Sequence, residues 1–434
     1  MAINASTAWE VRTDGNDTNG GGYSSAVAGA GTDYSQQASA QLSVSDGACS
    51  GTTTLVSVTG GFTSAMVGNC VYLSSGPGWY QITGYTDTNT VAIDRAGPSA
   101  SGMTVNVGGA LATPGRLSNL PASGNRCWIK SGTYTITTST PGPSGPYYQS
   151  SNIAVVLEGY QTTRGDEGQS PVLSAGSVGS VTLWRMACTN QRSHFRNLTA
   201  DANGQSAVYG FQYNGAQLRA PYLCKAIDCV GGFFFTGSVS CFTDNCVSGF
   251  VSRDHYYSYA SGSTNYGFSA NLAVNCIASG CATGFGNLDF ALGVHSACLA
   301  YNCTAGFYQD IGAVSRRLNL MYCLAHTCTN GFETQYSTSD LAYSSYERCA
   351  HYNCTNGSLG SAEWHDVTAL ARDPLTNAAG GDFTLNTDGA TELTGTPWLD
   401  QLWIHTIGAV RNVSGGGGAP ATHHPLKSRA LGGG

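Results

Sequence analysis

The most regular feature of the chain is a pattern of apolar positions in its middle: a cysteine, four residues, a second cysteine, two residues and then Gly-Phe. Repeats of this length are typical of solenoid proteins, in which each repeat stacks on the next. The interval between copies is variable, as the spacing of the phenylalanines shows. The copies are Cys224, Cys229, Gly232-Phe233; Cys241, Cys246, Gly249-Phe250; Cys276, Cys281, Gly284-Phe285; Cys298, Cys303, Gly306-Phe307; Cys323, Cys328, Gly331-Phe332; and Cys349, Cys354, Gly357-Ser358, with degenerate copies at Ala202, Ala207, Gly210-Phe211 and at Tyr259, Thr264, Gly267-Phe268.

Each copy predicts one coil with three short strands. In the copy 298–307, the first cysteine and Ala300 alternate with other residues, which is typical of a strand with one buried face. Asn302 is expected at a polar bend, and Gly306 is expected to give the backbone freedom for the next corner. Phe307 is then expected to point inward on the following strand.

Stacking of these coils predicts an all-β fold, a right-handed parallel β-helix (solenoid) with about eight coils between Asp201 and Ser358. Equivalent residues should lie about 4.8 Å apart and form two cysteine files and one phenylalanine file. Variable coil length argues against the left-handed hexapeptide solenoid. An α-solenoid is disfavoured because Gly, Thr, Asn and Cys are poor helix formers.

Four segments are predicted along the chain. Short β patterns separated by Gly, Ser and Asp indicate an N-terminal β module or cap over 1–110, and the parallel β-helix is expected over 111–362. A closing coil or cap over 363–413 would cover the strand edges and apolar interior of the last coil. The Gly-rich tail 414–434 is expected to be flexible in isolation.

Composition limits the partners that we expect. Charged residues make up 10% of the chain and the net charge is −7, so the clustered cations needed to bind nucleic acid are missing. No apolar run is long enough to span a bilayer, so no membrane partner is expected. The start of the chain shows no signal peptide, which predicts synthesis and folding in a cytosol-like compartment.

The sixteen cysteines allow three interpretations. Zinc sites usually bring cysteines together at one point, whereas twelve of these cysteines recur along an axis, so neither a metal site nor a cofactor is predicted. Neighbours about 4.8 Å apart could form disulfides in an oxidising environment. The favoured interpretation is that they are small, buried, reduced thiols that pack as alanine does.

Candidate catalytic residues are few. Glycoside hydrolysis needs two carboxylates about 5 to 9.5 Å apart, and Asp228 and Asp244 hold nearby places in successive copies. They are more simply polar turn residues, because Asn302 holds the same place as Asp228. The lone pair His423-His424 would hold a metal ion only if symmetry brought copies together. No catalytic residue is assigned.

One aromatic stretch is predicted to lie on the surface and to contact a glycan or a partner subunit. It consists of Asp254, His255, Tyr256, Tyr257 and Tyr259. Tyrosine and histidine offer flat faces and hydrogen-bonding tips that suit sugars and protein interfaces. The alternative is a solvated loop with stacked tyrosines.

The segments 11–43, 62–73 and 80–95 resemble the N-terminal region of β-helix proteins of bacteriophages and environmental viruses. The stretches 373–386 and 406–410 resemble the closing coil of the pectate-lyase-like β-helix superfamily. Residues 386–389, Asn-Thr-Asp-Gly, are similar to a polygalacturonase motif, but the other motifs of that family are missing.

The resemblance implies a virion structural protein, such as a tail spike, fibre or capsid decoration, with a surface or receptor and glycan-contact role. Such a protein is expected to be a homotrimer that docks onto other virion proteins and binds host-surface polysaccharide. It would be assembled in the host cytoplasm and be extracellular on release. The alternatives are a polysaccharide-degrading lyase or glycoside hydrolase on the same scaffold, and an extracellular carbohydrate-binding protein of a bacterium.

Overall fold

A computed structural model describes most of the chain, and it is built almost entirely of β-strands. Short 3-10 helices occur at Ser64–Met66, Pro114–Asn119 and Ala378–Gly380. The described residues are 3–142, 144–149, 153–187, 193–213, 220–234, 237–251, 254–286, 292–309, 317–334, 346–359 and 367–387.

Three long sheets run along the molecule, and their strands recur along the chain in the order sheet 1, sheet 2, sheet 3. Sheet 1 has a five-stranded and a six-stranded part, which isolated bridges at Tyr222 connect. Sheet 1 contains Ala8–Val11, Gly22–Tyr23, Arg126–Lys130, Val156–Tyr160, His194–Arg196, Ser238–Val239, Asp254–Tyr256, Leu272–Val274, Leu292–Ser296, Arg317–Met321 and Tyr346–Glu347. Sheet 2 contains Thr133–Ile136, Val172–Ala175, Thr199–Asp201, Lys225–Ile227, Phe242–Asp244, Tyr259–Ser261, Ile277–Ser279, Leu299–Tyr301, Leu324–His326, Cys349–Tyr352 and Val367–Ala369. Sheet 3 contains Tyr147–Gln149, Val181–Met186, Val208–Tyr213, Gly231–Phe234, Ser248–Val251, Tyr266–Ser269, Thr283–Gly286, Ala305–Gln309, Asn330–Thr334 and Asn356–Leu359.

The predicted fold class is confirmed. Successive strands of sheets 2 and 3 pair in parallel, so each coil lies on the one before it. Such crossovers are right-handed in nearly all parallel sheets, and the chain forms a right-handed parallel β-helix. We call 126–213 the early coils and 225–359 the regular coils. Only Gly22–Tyr23 departs from the parallel arrangement among the described strands of these three sheets, and it pairs antiparallel at the end of sheet 1.

The predicted phenylalanine file forms the centre of the tube. The rings of Phe250 and Phe268 stack with centroids 4.6 Å apart, and those of Phe268 and Phe285 are 4.9 Å apart. These rings are fully buried, and burial of a large apolar side chain contributes about 1.5–3 kcal/mol. Trp184 of the early coils lies in register with Phe211 and extends the file. In-register members of the file are Trp184, Phe211, Phe233, Phe250, Phe268, Phe285, Phe307 and Phe332.

The corners of the coils are formed by residues with left-handed backbone. Asn302 is confirmed as a bend, with φ 51°. The role predicted for Gly306 is wrong, because this residue lies inside the strand Ala305–Gln309 and the corners precede the cysteines. A Cβ atom on Gly306 would lie 2.6 Å from the carbonyl oxygen of Gly331, so close approach of successive backbones requires the glycine. The other non-glycine residues with positive φ at such corners include Leu223, Asp228, Ser240, Asn245, Tyr257, Asn275, Ala297, Tyr322, Thr327, Arg348 and Asn353.

The cysteine files are also present, but the two degenerate copies are framed differently from the prediction. Because Tyr259 pairs with Phe242 and Ile277, the first-cysteine position of that copy is Ser258, not Tyr259. Likewise Leu198, not Ala202, precedes the strand that pairs with Lys225–Ile227. Each of these two copies has additional residues before its Gly-Phe pair. Counting back from Gly-Phe by the usual spacing therefore misplaces the first-cysteine position.

The cysteines in the two files are free thiols. All of them are buried except Cys354, which is half-buried. Cys298 shows their usual environment. Its Sγ lies 3.4 Å from the backbone oxygen of Ser296 and 3.3 Å from that of Ala273 in the coil before. Burial raises the pKa of the Cys298 thiol well above its ordinary value.

A closed antiparallel barrel with its own apolar core lies before the early coils. The first strand of the chain, Ala8–Val11, belongs instead to sheet 1, where it pairs in parallel with Arg126–Lys130. The barrel strands are Leu42–Ser50, Thr54–Val56, Cys70–Leu73, Trp79–Asp87, Thr90–Ile93 and Ser99–Val107. The segment boundaries at 110, 362 and 413 stay predictions.

The residues after the last described strand of sheet 2 pack against its outer face. Leu375–Asn377 and Asp382–Leu385 form an antiparallel pair instead of a further coil. Leu375 and Phe383 contact an apolar strip that includes Leu299 and Leu324. Residues 388–434, and with them the predicted tail 414–434 and His423-His424, lie outside the described residues.

Candidate functional site

The predicted contact residues do not share one surface. Asp254 and Tyr256 lie on the outer side of sheet 1, and Tyr257 forms the corner with a φ of 52°. Tyr259 lies on the outer face of sheet 2. Asp254 and Tyr257 are exposed, whereas the two other tyrosines are half-buried. A contact role for these residues stays a prediction, but they surround a corner of the tube.

His255 points into the tube, so its predicted surface position is wrong. Its side chain is fully buried, and its ring centroid lies 5.1 Å from that of Phe250. Nδ1 of His255 is 2.8 Å from the Ser238 hydroxyl oxygen. Side chains of a strand alternate between its two faces. Because Asp254 and Tyr256 point outward, His255 between them points inward.

The structure separates the roles of Asp228 and Asp244. Asp228 is a corner residue with a φ of 55°, and its N–H donates to the backbone oxygen of Asp244 at 2.9 Å. Asp244 lies on the outer face of sheet 2, in one file with Ile227 and Asp201. Burial lowers the pKa of the neighbouring Lys225, and the charges of Asp244, Asp201 and Asp228 oppose this shift.

Asn386 of the polygalacturonase-like stretch holds the C-terminal hairpin together. Its side-chain amide donates to the backbone oxygens of Asp373 at 2.8 Å and Leu375 at 2.9 Å. Asp388 and Gly389 lie outside the described residues. The contacts of Asn386 therefore account for this asparagine by local structure.

A groove on the outer face of sheet 3 was not predicted from the sequence. Outward positions of four successive strands align there, because Tyr148 pairs with Arg185, Arg185 with Gln212, and Gln212 with Phe234. The groove encloses about 500 Å³. Its lining comprises Ser139, Pro141, Pro146, Tyr148, Ser180, Val181, Thr182, Arg185, Tyr209, Gln212 and Phe234.

The side chains of the groove hold one another in place. The Arg185 guanidinium lies 4.8 Å from the Tyr148 ring centroid, within the range of a cation–π interaction. The rings of Tyr209 and Phe234 pack at 5.2 Å with a tilt of 47°. These aromatic groups are half-buried, so each keeps part of its surface toward solvent.

Arg185 is the only charged side chain in the described lining of the groove. Its Nε is shielded from solvent and has no hydrogen-bond partner among the described residues. Between Glu167 and Asp244 the sequence contains two acidic residues, Asp201 and Asp228, and both belong to sheet 2 or its corner. The described groove therefore offers aromatic faces, amide and hydroxyl groups and one cation, but no pair of carboxylates for hydrolysis.

The groove was not predicted from the sequence because its residues lie outside the Cys and Gly-Phe positions of the repeat. The residues of one file are separated by loops of different length, and only the strand register shows that they align. Aromatic residues outside the cysteine pattern, such as Tyr148 and Tyr209, were the one signal available. Without the register, that signal does not distinguish an outward ring from a core ring such as Trp184.

A buried ionic group on sheet 1 links the early coils to the N-terminal residues. Glu10 is fully buried, and its Oε2 lies 2.7 Å from Arg164 Nε. Arg164 also contacts the Asp33 carboxylate at 2.9 Å and the Ser35 hydroxyl at 2.9 Å. Burial raises the pKa of Glu10, and the positive charge of Arg164 opposes the rise. Glu10 is therefore paired within the protein, with Arg164 and the Tyr160 hydroxyl.

In the part of the chain that the structure describes, no three His, Cys, Asp or Glu side chains converge to hold a metal ion. No helix in that part has the length and hydrophobicity needed to cross a membrane.

Comparisons with known proteins give few matches. No protein-family model matches the chain, and no curated protein matches it. Solved structures with some likeness include catalytic domains of a GH87 alpha-1,3-glucanase. One, in complex with tetrasaccharides, is 8% identical with a TM-score of 0.27, and the match covers 69% of this chain and 85% of that chain. Another, in complex with nigerose, is 8% identical with a TM-score of 0.25 and the same coverage.

Proposed function

We propose that this chain is a structural protein of a bacteriophage virion, a tail spike, fibre or capsid decoration, that contacts saccharides through the groove on sheet 3. The observation that supports saccharide contact is the alignment of Tyr148, Arg185, Gln212 and Phe234 along one outer file, beside Tyr209. Aromatic faces with a few hydrogen-bonding groups are the usual features of ligand sites.

A binding role without catalysis fits the chemistry of the groove. Because the side chains project from strands of a stacked tube, they lose little conformational freedom when a ligand binds. The described lining has no acidic residue, whereas glycosidases need two carboxyl groups. We therefore propose that the groove retains a saccharide and does not cleave it.

The virion part of the proposal is supported by the resemblance of residues 11–43, 62–73 and 80–95 to phage β-helix proteins. In this proposal the chain is a homotrimer that docks onto other virion proteins and meets host-surface polysaccharide after release. Mass spectrometry of purified virions tests this part directly. Absence of the chain from particles made by a genome that encodes it would contradict the proposal.

Saccharide contact is tested with the full-length protein on an array of bacterial surface polysaccharides. We expect Tyr209→Ala and Phe234→Ala to lower affinity by about tenfold or more, because stacked rings dominate such contacts. Phe242→Ala is the matched control, since Phe242 is a half-buried aromatic residue on the outer face of sheet 2. Equal losses in all three variants, or no binding by the unchanged protein, would contradict the proposed site.

A second candidate function is polysaccharide cleavage on the outer face of sheet 2. Asp201 and Asp244 lie in one file, two coils apart, with Lys225 nearby. Two coil steps are about 9.6 Å, at the upper end of the spacing used by inverting glycosidases. A reducing-sugar assay on each bound polysaccharide tests this candidate, and activity that Asp244→Asn abolishes would favour it over the binding role.

A further inference from the structure

We propose that the groove on sheet 3 selects a saccharide that carries a carboxylate, with the carboxylate on Arg185 and a sugar ring against Tyr209 and Phe234. This inference rests on the proposed function, which it deepens by naming the class of ligand. It would make an acidic surface polysaccharide the preferred partner.

The unpaired state of Arg185 is the first step of the argument. Five other arginines, at 12, 95, 126, 164 and 196, lie within 3.5 Å of a carboxylate oxygen. Arg185 has no carboxylate partner among the described residues, although it is half-buried and its Nε is shielded from water. A shielded guanidinium nitrogen that has no hydrogen-bond partner is available to a carboxylate ligand as a charged donor.

The orientation of Arg185 is the second step. Its guanidinium lies over the Tyr148 ring at 4.8 Å. The contact with the ring restricts where the guanidinium lies, and a guanidinium presents its N–H groups as a planar fork that matches the two oxygens of a carboxylate. Gln212 follows Arg185 in the same file, where its side-chain oxygen accepts a hydrogen bond from the Thr182 hydroxyl at 3.2 Å. That contact leaves the amide N–H groups of Gln212 available to a sugar hydroxyl.

The spacing of the groups gives the direction of the ligand. From Arg185 to Phe234 the file advances by two coils, about 10 Å along the tube. That length fits a short oligosaccharide better than a single sugar. The ligand is therefore expected to run parallel to the tube axis, with its anionic group over the early coils and a ring over the first regular coil.

The charge of the groove does not suit a nucleic acid. The net charge of the chain is −7, and the described lining of the groove contains a single cation. Binding to a phosphate backbone depends on several cations that act together. A sulfated saccharide shares the anionic chemistry, so sulfated ligands are included as a separate arm of the test.

The experiment compares acidic oligosaccharides with their carboxyl-reduced counterparts and with sulfated and neutral oligosaccharides, all binding to the full-length protein. We expect the best ligand to carry a carboxylate, and its carboxyl reduction to weaken binding by about tenfold or more, as is usual for a charge-assisted hydrogen bond. Arg185→Gln should cause the same loss for the acidic ligand and no further loss for the reduced one.

Arg126→Gln is the matched control, because Arg126 also lies over an aromatic ring, that of Trp128, but on sheet 1. Far-ultraviolet circular dichroism checks that both variants fold. A best ligand that is neutral or sulfated, or equal losses from Arg185→Gln and Arg126→Gln, would overturn the inference and leave saccharide binding intact. No binding to any oligosaccharide would overturn the inference together with the proposed function.

Discussion

The early coils and the regular coils share the same three-sheet backbone, but they differ in how uniform their inward-facing residues are. In the regular coils the inward positions are nearly uniform, with stacked phenylalanines and two files of small buried residues. Their outward positions on sheet 3 differ from coil to coil, as Ser269, Tyr308 and Glu333 show. In the early coils the outward file carries Tyr148 and Arg185.

This difference indicates where a solenoid can hold a ligand site. An interior of identical layers requires the same residue at the same place in every coil, so it produces a repeat. A ligand site requires different groups in neighbouring coils, so it breaks the repeat. The buried ionic group of Glu10 and Arg164 also lies at the early end. The groove on sheet 3 accordingly spans three strands of the early coils and the first strand of the regular coils, which carries Phe234.

The largest expected effect comes from interrupting the phenylalanine file. Phe268→Ala should destabilise the regular coils by about 3–5 kcal/mol, because Phe268 is fully buried between Phe250 and Phe285. Phe242→Ala, on the outer face, should cost about 1 kcal/mol. Urea unfolding followed by circular dichroism measures both. Similar costs for the two variants would show that stacking inside the tube is not its main support.

A second expectation concerns acid and the regular coils. His295 is fully buried, neither ring nitrogen has a hydrogen-bond partner among the described residues, and burial lowers its pKa to about 4 from 6.5. Above pH 6.5 both folded and unfolded states hold a neutral ring. As the pH falls from 6.5 to 4, the unfolded chain takes up the proton first, and this site removes about 3 kcal/mol of stability.

His295→Leu isolates that contribution, because Leu320 already holds the same inward position in the next coil. Unfolding free energies measured from pH 7 to pH 4 should fall less steeply in the variant by about 3 kcal/mol in total. A variant whose pH dependence matches that of the unchanged protein would mean that His295 does not titrate as its burial requires.

The third expectation separates close approach from backbone freedom as the reason for a glycine. A Cβ atom on Gly284 would lie 2.6 Å from the Gly306 carbonyl oxygen, so Gly284→Ala should cost about 1–3 kcal/mol. Gly280 has a φ of 62° with open space around it, and Asn302 holds the same corner in the next coil. Gly280→Asn should therefore change stability by no more than about 0.5 kcal/mol. A larger loss of stability from Gly280→Asn than from Gly284→Ala would indicate that backbone freedom at a corner, not close approach, is the reason for the glycine.

The sequence predicted the fold because the inward positions repeat, and it missed the groove because the outward positions do not. Phe250 and Phe285 identified the file directly. The frames at Ala202 and Tyr259 were wrong because they were counted back from Gly-Phe across insertions, which only the pairing of strands reveals. The polar and aromatic neighbours of His255 predict a surface position. Its inward position follows from alternation along the strand Asp254–Tyr256, whose first residue the sequence does not reveal.

A small effect is expected on the early coils, at an ion pair whose arginine is open to water. Arg126 is 50% exposed and lies 3.4 Å from Glu158, whose side chain is 4% exposed. Arg126→Gln should cost at most about 1 kcal/mol, because exposed ion pairs are weak and Arg196 remains 3.5 Å from the other Glu158 oxygen. Unfolding at low and high salt measures this, and the difference between the two proteins should shrink as salt screens the pair. A loss above about 2 kcal/mol that salt does not reduce would mean that Glu158 depends on Arg126 as a buried partner. The early coils would then be held by their charges as strongly as the regular coils are by their rings.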